Sequence, residues 1–156
     1  MLAAGESLTT IATALGWEAA EASLGGAWPE EVGKSFGIAL ILLALPRLWN
    51  RPWDGLLVGV FVGLGFELIE TEQYGAAGAL EDANSDVDGL GIGLALLHPR
   101  LSTSRRWLYG LGGPTLAFLM HFAWNYDWAG GWAYAVMWPV YLGALIACWI
   151  AARRMV

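Results

Sequence analysis

Three short polar stretches stand inside or against long apolar runs, and their residue types suit hydrolytic metal chemistry. "WPEEVGK" (28–34) brings Glu30, Glu31 and Lys34, the sole lysine, to the head of an apolar run. "GFELIETEQY" (65–74) carries Glu67 and Glu70. "HFAWN" (121–125) sets His121 and Asn125 at i,i+4, on one face of a helix. An imidazole and a carboxylate are ordinary zinc ligands, and an asparagine supplies an oxygen or donates hydrogen bonds. A second carboxylate, held off the metal, can deprotonate a bound water whose pKa zinc lowers to about 7. In the first stretch the i,i+4 spacing predicts a Glu30–Lys34 pair. Glu31 then points elsewhere and is the candidate base.

Plainer readings stand beside these. Carboxylates in a first helical turn favour the helix dipole, which accounts for Glu30 and Glu31 without catalysis. A lone His121 can be a hydrogen-bonded packing residue, and His98, beside Arg100, reads as a surface histidine. Glu67 and Glu70 are harder to explain away, because a glutamate inside a membrane helix costs about 2–3 kcal/mol on insertion scales. The acidic stretch 81–88, "EDANSDVD", has the look of a calcium-loop fragment but lacks the spaced glycine and closing glutamate of an EF-hand.

The elements that must carry these groups are membrane helices. The chain is 57% hydrophobic and 14% charged, with a mean hydropathy of +0.51; soluble domains carry about 25% charged residues. Ten Trp suit interfacial belts, and 21 Gly suit close helix packing in lipid. A net charge of −6 argues against nucleic acid as a partner. Cys148 is the single cysteine, so no intrachain disulfide forms. Residues 1–24 read as one amphipathic helix, too polar to span and without the basic start of a cleavable signal peptide. "SLGGAWPE" should break it, with Pro29 opening a new helix.

The expected fold is all-α: a polytopic transmembrane bundle (25–156) with four clear spans, at 28–49, 52–74, 107–126 and 130–151. Gly55, Gly59 and Gly63 give the second span a smooth face for another helix. All seven arginines fall at 47–51, 100–106 and 153–154, which the positive-inside rule places in the cytoplasm together with the C-terminus. Most acidic residues fall toward the other side, with Asp54 as the exception. That topology requires a crossing between 75 and 99, where the one apolar run is "GLGIGLALL" (89–97), about 14 Å as a helix and half the hydrocarbon core. The polar residues ahead of it must face protein or a water-filled cavity.

Taken in order, the motifs resemble those of a known family. "EEVGK" matches the E-E-x-x-K motif of the PrsW family of bacterial intramembrane metalloproteases. "GLGFELIETEQY" is similar to its G-F-x-x-x-E-N-x-x-Y motif, with Phe66, Glu70 and Tyr74 in register and Thr71 in place of Asn. "HFAWN" looks like its H-x-x-W-N motif, and the wider relatives are the CAAX-prenyl and bacteriocin-processing proteases. The resemblance covers roughly 25–130. It implies a multi-pass enzyme of the bacterial inner membrane that cuts membrane-associated proteins, anti-sigma factors among them, using a metal. Glu31 (or Glu30) would activate water, Glu70 and His121 would lie on the metal, and Asn125 would help hold metal, water or oxyanion. The family usually has a further Arg and His ahead of the glycine pattern; here "DANSDVD" leads straight into "GLGIGLALL". An internal deletion would explain this and would remove one metal ligand. Two other readings follow: a non-catalytic member that binds membrane partners, or an ion- or proton-coupled protein using Glu67, Glu70 and the 81–88 acids.

Overall fold

The computed structural model describes residues 3–74, 83–128 and 133–154, without the side chains of 3–5, 67, 69–74, 83, 84, 133 and 134. Helix α1 (Ala3–Ala14) ends at Gly16, whose φ of 71° is the left-handed conformation that glycine adopts most cheaply. The N–H of Trp17 returns to the Ala12 carbonyl (2.8 Å) and that of Gly16 to Thr13 (3.0 Å), a Schellman closure. The single helix expected over 1–24 is therefore interrupted at Gly16.

The expected break at "SLGGAWPE" is instead a continuous helical passage. A π-helical turn over Ser23–Ala27 runs directly into α2 (Trp28–Ala44). The wider turn suits Pro29, which has no N–H to give and whose ring crowds the carbonyl four residues back. Helix α2 stops at Ala44 because Leu45 precedes Pro46 and leaves the helical region (φ −121°, ψ 50°). Helix α3 (Asp54–Tyr74) is anchored by Asp54, whose Oδ2 accepts the Asn50 and Arg51 N–H groups at 2.8 Å each. That local role explains the one acidic residue standing among the arginines.

Helix α4 runs over Ala83–Leu97, not 89–97 alone. Its polar first half stays helical because the polar side chains are enclosed by protein: Ser85 and Asp88 are fully buried and Asp86 nearly so. At its far end Arg106 caps the last carbonyls, donating to Ala95 O (2.6 Å) and His98 O (2.8 Å). Helix α5 (Thr103–Asn125) starts earlier than the apolar run suggests, because Ser102 caps it by accepting from the Arg105 N–H. Helix α6 (Ala133–Arg153) closes the chain.

The architecture is all-helical across the described residues, with α4 in the middle, packed on α2, α3, α5 and α6. The smooth face expected on α3 is used: a Cβ on Gly55 or Gly59 would strike the backbone of Gly89, Gly93 or Ser85. On the other side of α4, Gly91 meets Gly113 of α5. Ile38, Leu42, Val58 and Ile92 form the apolar core where α2, α3 and α4 meet. Among the described residues, one segment is long and apolar enough to cross a membrane by itself, Ala135–Arg153 of α6.

Candidate metal centre

The cluster is built by the first turns of α2 and the last turns of α5. Glu31 and Lys34 are each 2% exposed and His121 is 4% exposed, so three ionisable side chains share one buried space. His121 Nδ1 lies 2.8 Å from Glu31 Oε1, and Lys34 Nζ lies 3.3 Å from the same oxygen. A carboxylate facing a lysine accepts, so Nδ1 carries a proton toward Glu31, and in the neutral imidazole Nε2 turns its lone pair the other way. On that side stands Glu30, with Oε2 at 3.7 Å from Nε2. The imidazole thus sits between two carboxylates.

Lys34 extends the expected pairing. It joins Glu31 at i,i+3, a pairing the i,i+4 expectation does not include. Helix spacing allows both partners; His121, arriving from α5, fixes Glu31 toward the bundle interior. Lys34 also lies over the Phe66 ring of α3 at 5.4 Å, a cation–π contact that draws the "GFELIE" helix to the cluster. Glu30 remains at the rim, its side chain 30% exposed.

Asn125 reaches the same rim. Its Nδ2 and Glu30 Oε1 lie 3.4 and 3.5 Å from the point where a Cβ on Gly26 would sit. The π-helical turn is held there by Ser23, whose hydroxyl donates to Phe122 O at 2.7 Å, and the short 3-10 turn ahead of it (Glu18–Ala20) is tied by the Asp127 N–H donating to Ala19 O at 2.9 Å. Glu30, Glu31, Lys34, His121 and Asn125 are therefore brought together. Glu70 lies on the last turns of α3, with its side chain outside the described residues. His98 lies at the opposite end of α4, where its Nδ1 accepts the Arg100 N–H. Sequence reasoning missed Ser35, one turn beyond Glu31 on α2, which donates to Asp88 Oδ2 at 2.7 Å. The i,i+4 spacing from Glu31 was the available signal.

A metal suits this donor set. Metal-bound histidines typically give their second ring N–H to a carboxylate, as His121 does to Glu31. His121 Nε2, on the far side of the ring from Glu31, is the nitrogen an ion would use, with Glu30 Oε2 nearby at 3.7 Å. Among the described residues no three His, Cys, Asp or Glu side chains form a complete ligand set.

Comparison with known proteins agrees with the motifs. The family model for PrsW family intramembrane metalloproteases matches residues 2–91 and 85–152. The chain belongs to that family, and is a membrane protein of a metalloprotease family. The two matched segments overlap over residues 85–91, in the first half of α4. No curated protein and no solved structure matches the chain.

Proposed function

We propose that this PrsW-family chain hydrolyses peptide bonds of membrane-associated proteins, and that Glu30 rather than Glu31 is its water-activating carboxylate. The observation that carries this reading is the imidazole between two carboxylates, with Nδ1 engaged by buried Glu31 and Nε2 facing rim-exposed Glu30. Glu31, fixed by Lys34, orients His121 and sets its tautomer. His121 Nε2 and Glu70 are the metal-side groups, and zinc is the metal that fits an imidazole–carboxylate set. When bound, the metal supplies a Lewis acid and an acidified water. Glu30 takes the proton of the attacking water and returns it to the leaving amine. Asn125, at the same rim, donates its amide N–H to the developing oxyanion.

The reading extends to topology. Helices α2, α3, α5 and α6 span the bacterial inner membrane, α4 is the shortened crossing, and the arginine-rich loops and C-terminus face the cytoplasm. Residues 1–24 form an N-terminal segment preceding the protease-like domain at 25–156. Substrates are anti-sigma-factor-like membrane proteins. A non-catalytic member of the same fold is the second reading, favoured by the absence of the family's usual Arg and His before "GLGIGLALL".

The test is cleavage of a quenched-fluorescent library of apolar, membrane-anchored peptides by the purified protein in liposomes. Activity that falls by about 100-fold or more in Glu30→Gln supports Glu30 as the proton acceptor. Unchanged activity in that variant contradicts the assignment. No cleavage by the wild-type chain favours the non-catalytic reading.

A further inference from the structure

A groove of about 950 Å3 runs between α2 and α5 with α4 as its floor. Glu31 lines it near the end where Trp28 meets Phe118 edge to face. Its walls are mostly apolar side chains that are open to the surroundings, including Val32 (49% exposed), Phe36 (65%) and Leu111 (59%), with Thr115 on α5 and Thr103 and Arg106 at the far end as polar exceptions. Ser35 interrupts that surface beside Glu31. Its hydroxyl gives its one proton to Asp88, so its lone pairs are what it presents to the groove. Asp88 is fully buried, and among the described residues Ser35 is its one hydrogen-bond partner, with Oδ1 unsatisfied. While Asp88 is ionised, this contact holds Ser35 as an acceptor toward the groove.

An acceptor set in an apolar wall selects what lies against it. A lipid acyl chain has no donor to offer. A transmembrane helix has already used its backbone N–H groups internally. An extended peptide in a water-free groove has exposed N–H groups, each costing several kcal/mol if unmet. The groove follows α2 from Trp28 to Ala39, about 16 Å of helix. At about 3.3 Å per residue, it takes about five residues of extended chain.

We propose that this groove binds an extended, apolar segment of a membrane peptide, with Ser35 accepting a backbone N–H and Asp88 acting as a positioning residue for Ser35. The inference rests on the hydrolase reading of the Glu30–Glu31–His121 cluster and adds the form in which substrate reaches it. A peptide lying there presents a backbone freed from helical hydrogen bonding beside Glu31.

The test uses the full chain in liposomes of phosphatidylethanolamine and phosphatidylglycerol. The probe is a short apolar peptide with a glycine-rich, helix-breaking centre carrying a benzophenone. Irradiation should crosslink it to Val32, Phe36 and Leu111. Ser35→Ala should lower the yield about fivefold to tenfold, the effect of one lost hydrogen bond, and Ser35→Thr should restore it. Methylating the central peptide nitrogens should lower the wild-type yield by a similar factor and leave the Ser35→Ala yield unchanged. Asp88→Asn, which keeps an acceptor for Ser35, should retain more crosslinking than Asp88→Ala. Equal crosslinking to Leu145 and Trp149 on α6, or yields indifferent to both Ser35→Ala and N-methylation, would overturn the proposal. Crosslinking needs no hydrolysis. A chain that crosslinks in the groove but neither binds metal nor cleaves loses the catalytic reading alone. One that cleaves without groove crosslinks loses the groove alone.

Discussion

Helices α4 and α6 solve opposite problems. Helix α6 has 21 residues, carries the apolar segment Ala135–Arg153, and leaves Val136, Leu142, Ile146 and Trp149 about half exposed. Helix α4 has 15 residues, begins in a polar stretch, and is enclosed by four other helices. The first is recognisable by what it shows its surroundings. The second is held by what its neighbours give it: glycine backbones on two sides, Ser35 for Asp88, and Arg106 for its last carbonyls. Hydropathy reports contact with lipid and is silent about a helix buried in protein, so the helix at the middle of the bundle is the one that hydropathy describes worst.

The comparison breaks most severely at the glycine seam. Gly59→Leu should cost about 3 kcal/mol or more, because the new side chain meets the Ser85 and Gly89 backbone, which cannot rotate away. Thermal unfolding in detergent should register little or no folded protein. Next comes Lys34→Met, which strips a buried carboxylate of its cation and should cost about 3–5 kcal/mol in the same assay. Adding Glu31→Gln to Lys34→Met should recover part of that loss; no recovery would mean that Lys34 acts by packing on Phe66 instead. Glu31→Gln alone takes the carboxylate from buried Lys34 and should itself cost stability; in the protein that still folds it should weaken metal affinity about 10–100-fold, read by competition with a chelator, because it loosens His121. The smallest effect belongs to α6. Gly143 has open space where a Cβ would go, so Gly143→Ala should change stability by less than about 1 kcal/mol. A Gly143→Ala loss as large as that of Gly59→Leu would erase the distinction between the two helices.

The same contrast explains what could be read from the sequence. Helices α2, α3, α5 and α6 each contain an apolar run, and their existence was legible from it. Their ends were set by local chemistry that hydropathy ignores: Pro46 after α2, Asp54 at the start of α3, Ser102 ahead of α5. The first half of α4 was not legible as helix, because Asp86 and Asp88 argue against a buried helix until their surroundings are known. Glu30, Glu31, Lys34, His121 and Asn125 were legible as a set through residue type and motif order. Their pairing was not. Glu30 and Glu31 are both within helical reach of Lys34, and the inward turn of Glu31 is set by an imidazole 90 residues away in the chain.

The central claim is that His121, held through Nδ1 by Glu31, offers Nε2 to a metal beside Glu30. The most direct test is the metal content of intact purified protein by mass spectrometry, wild type beside His121→Ala, with circular dichroism confirming that both are folded. The account predicts about one equivalent of zinc in the wild type and a loss of most of it in His121→Ala. A metal-free wild type, or a folded His121→Ala that keeps its full equivalent, would contradict it.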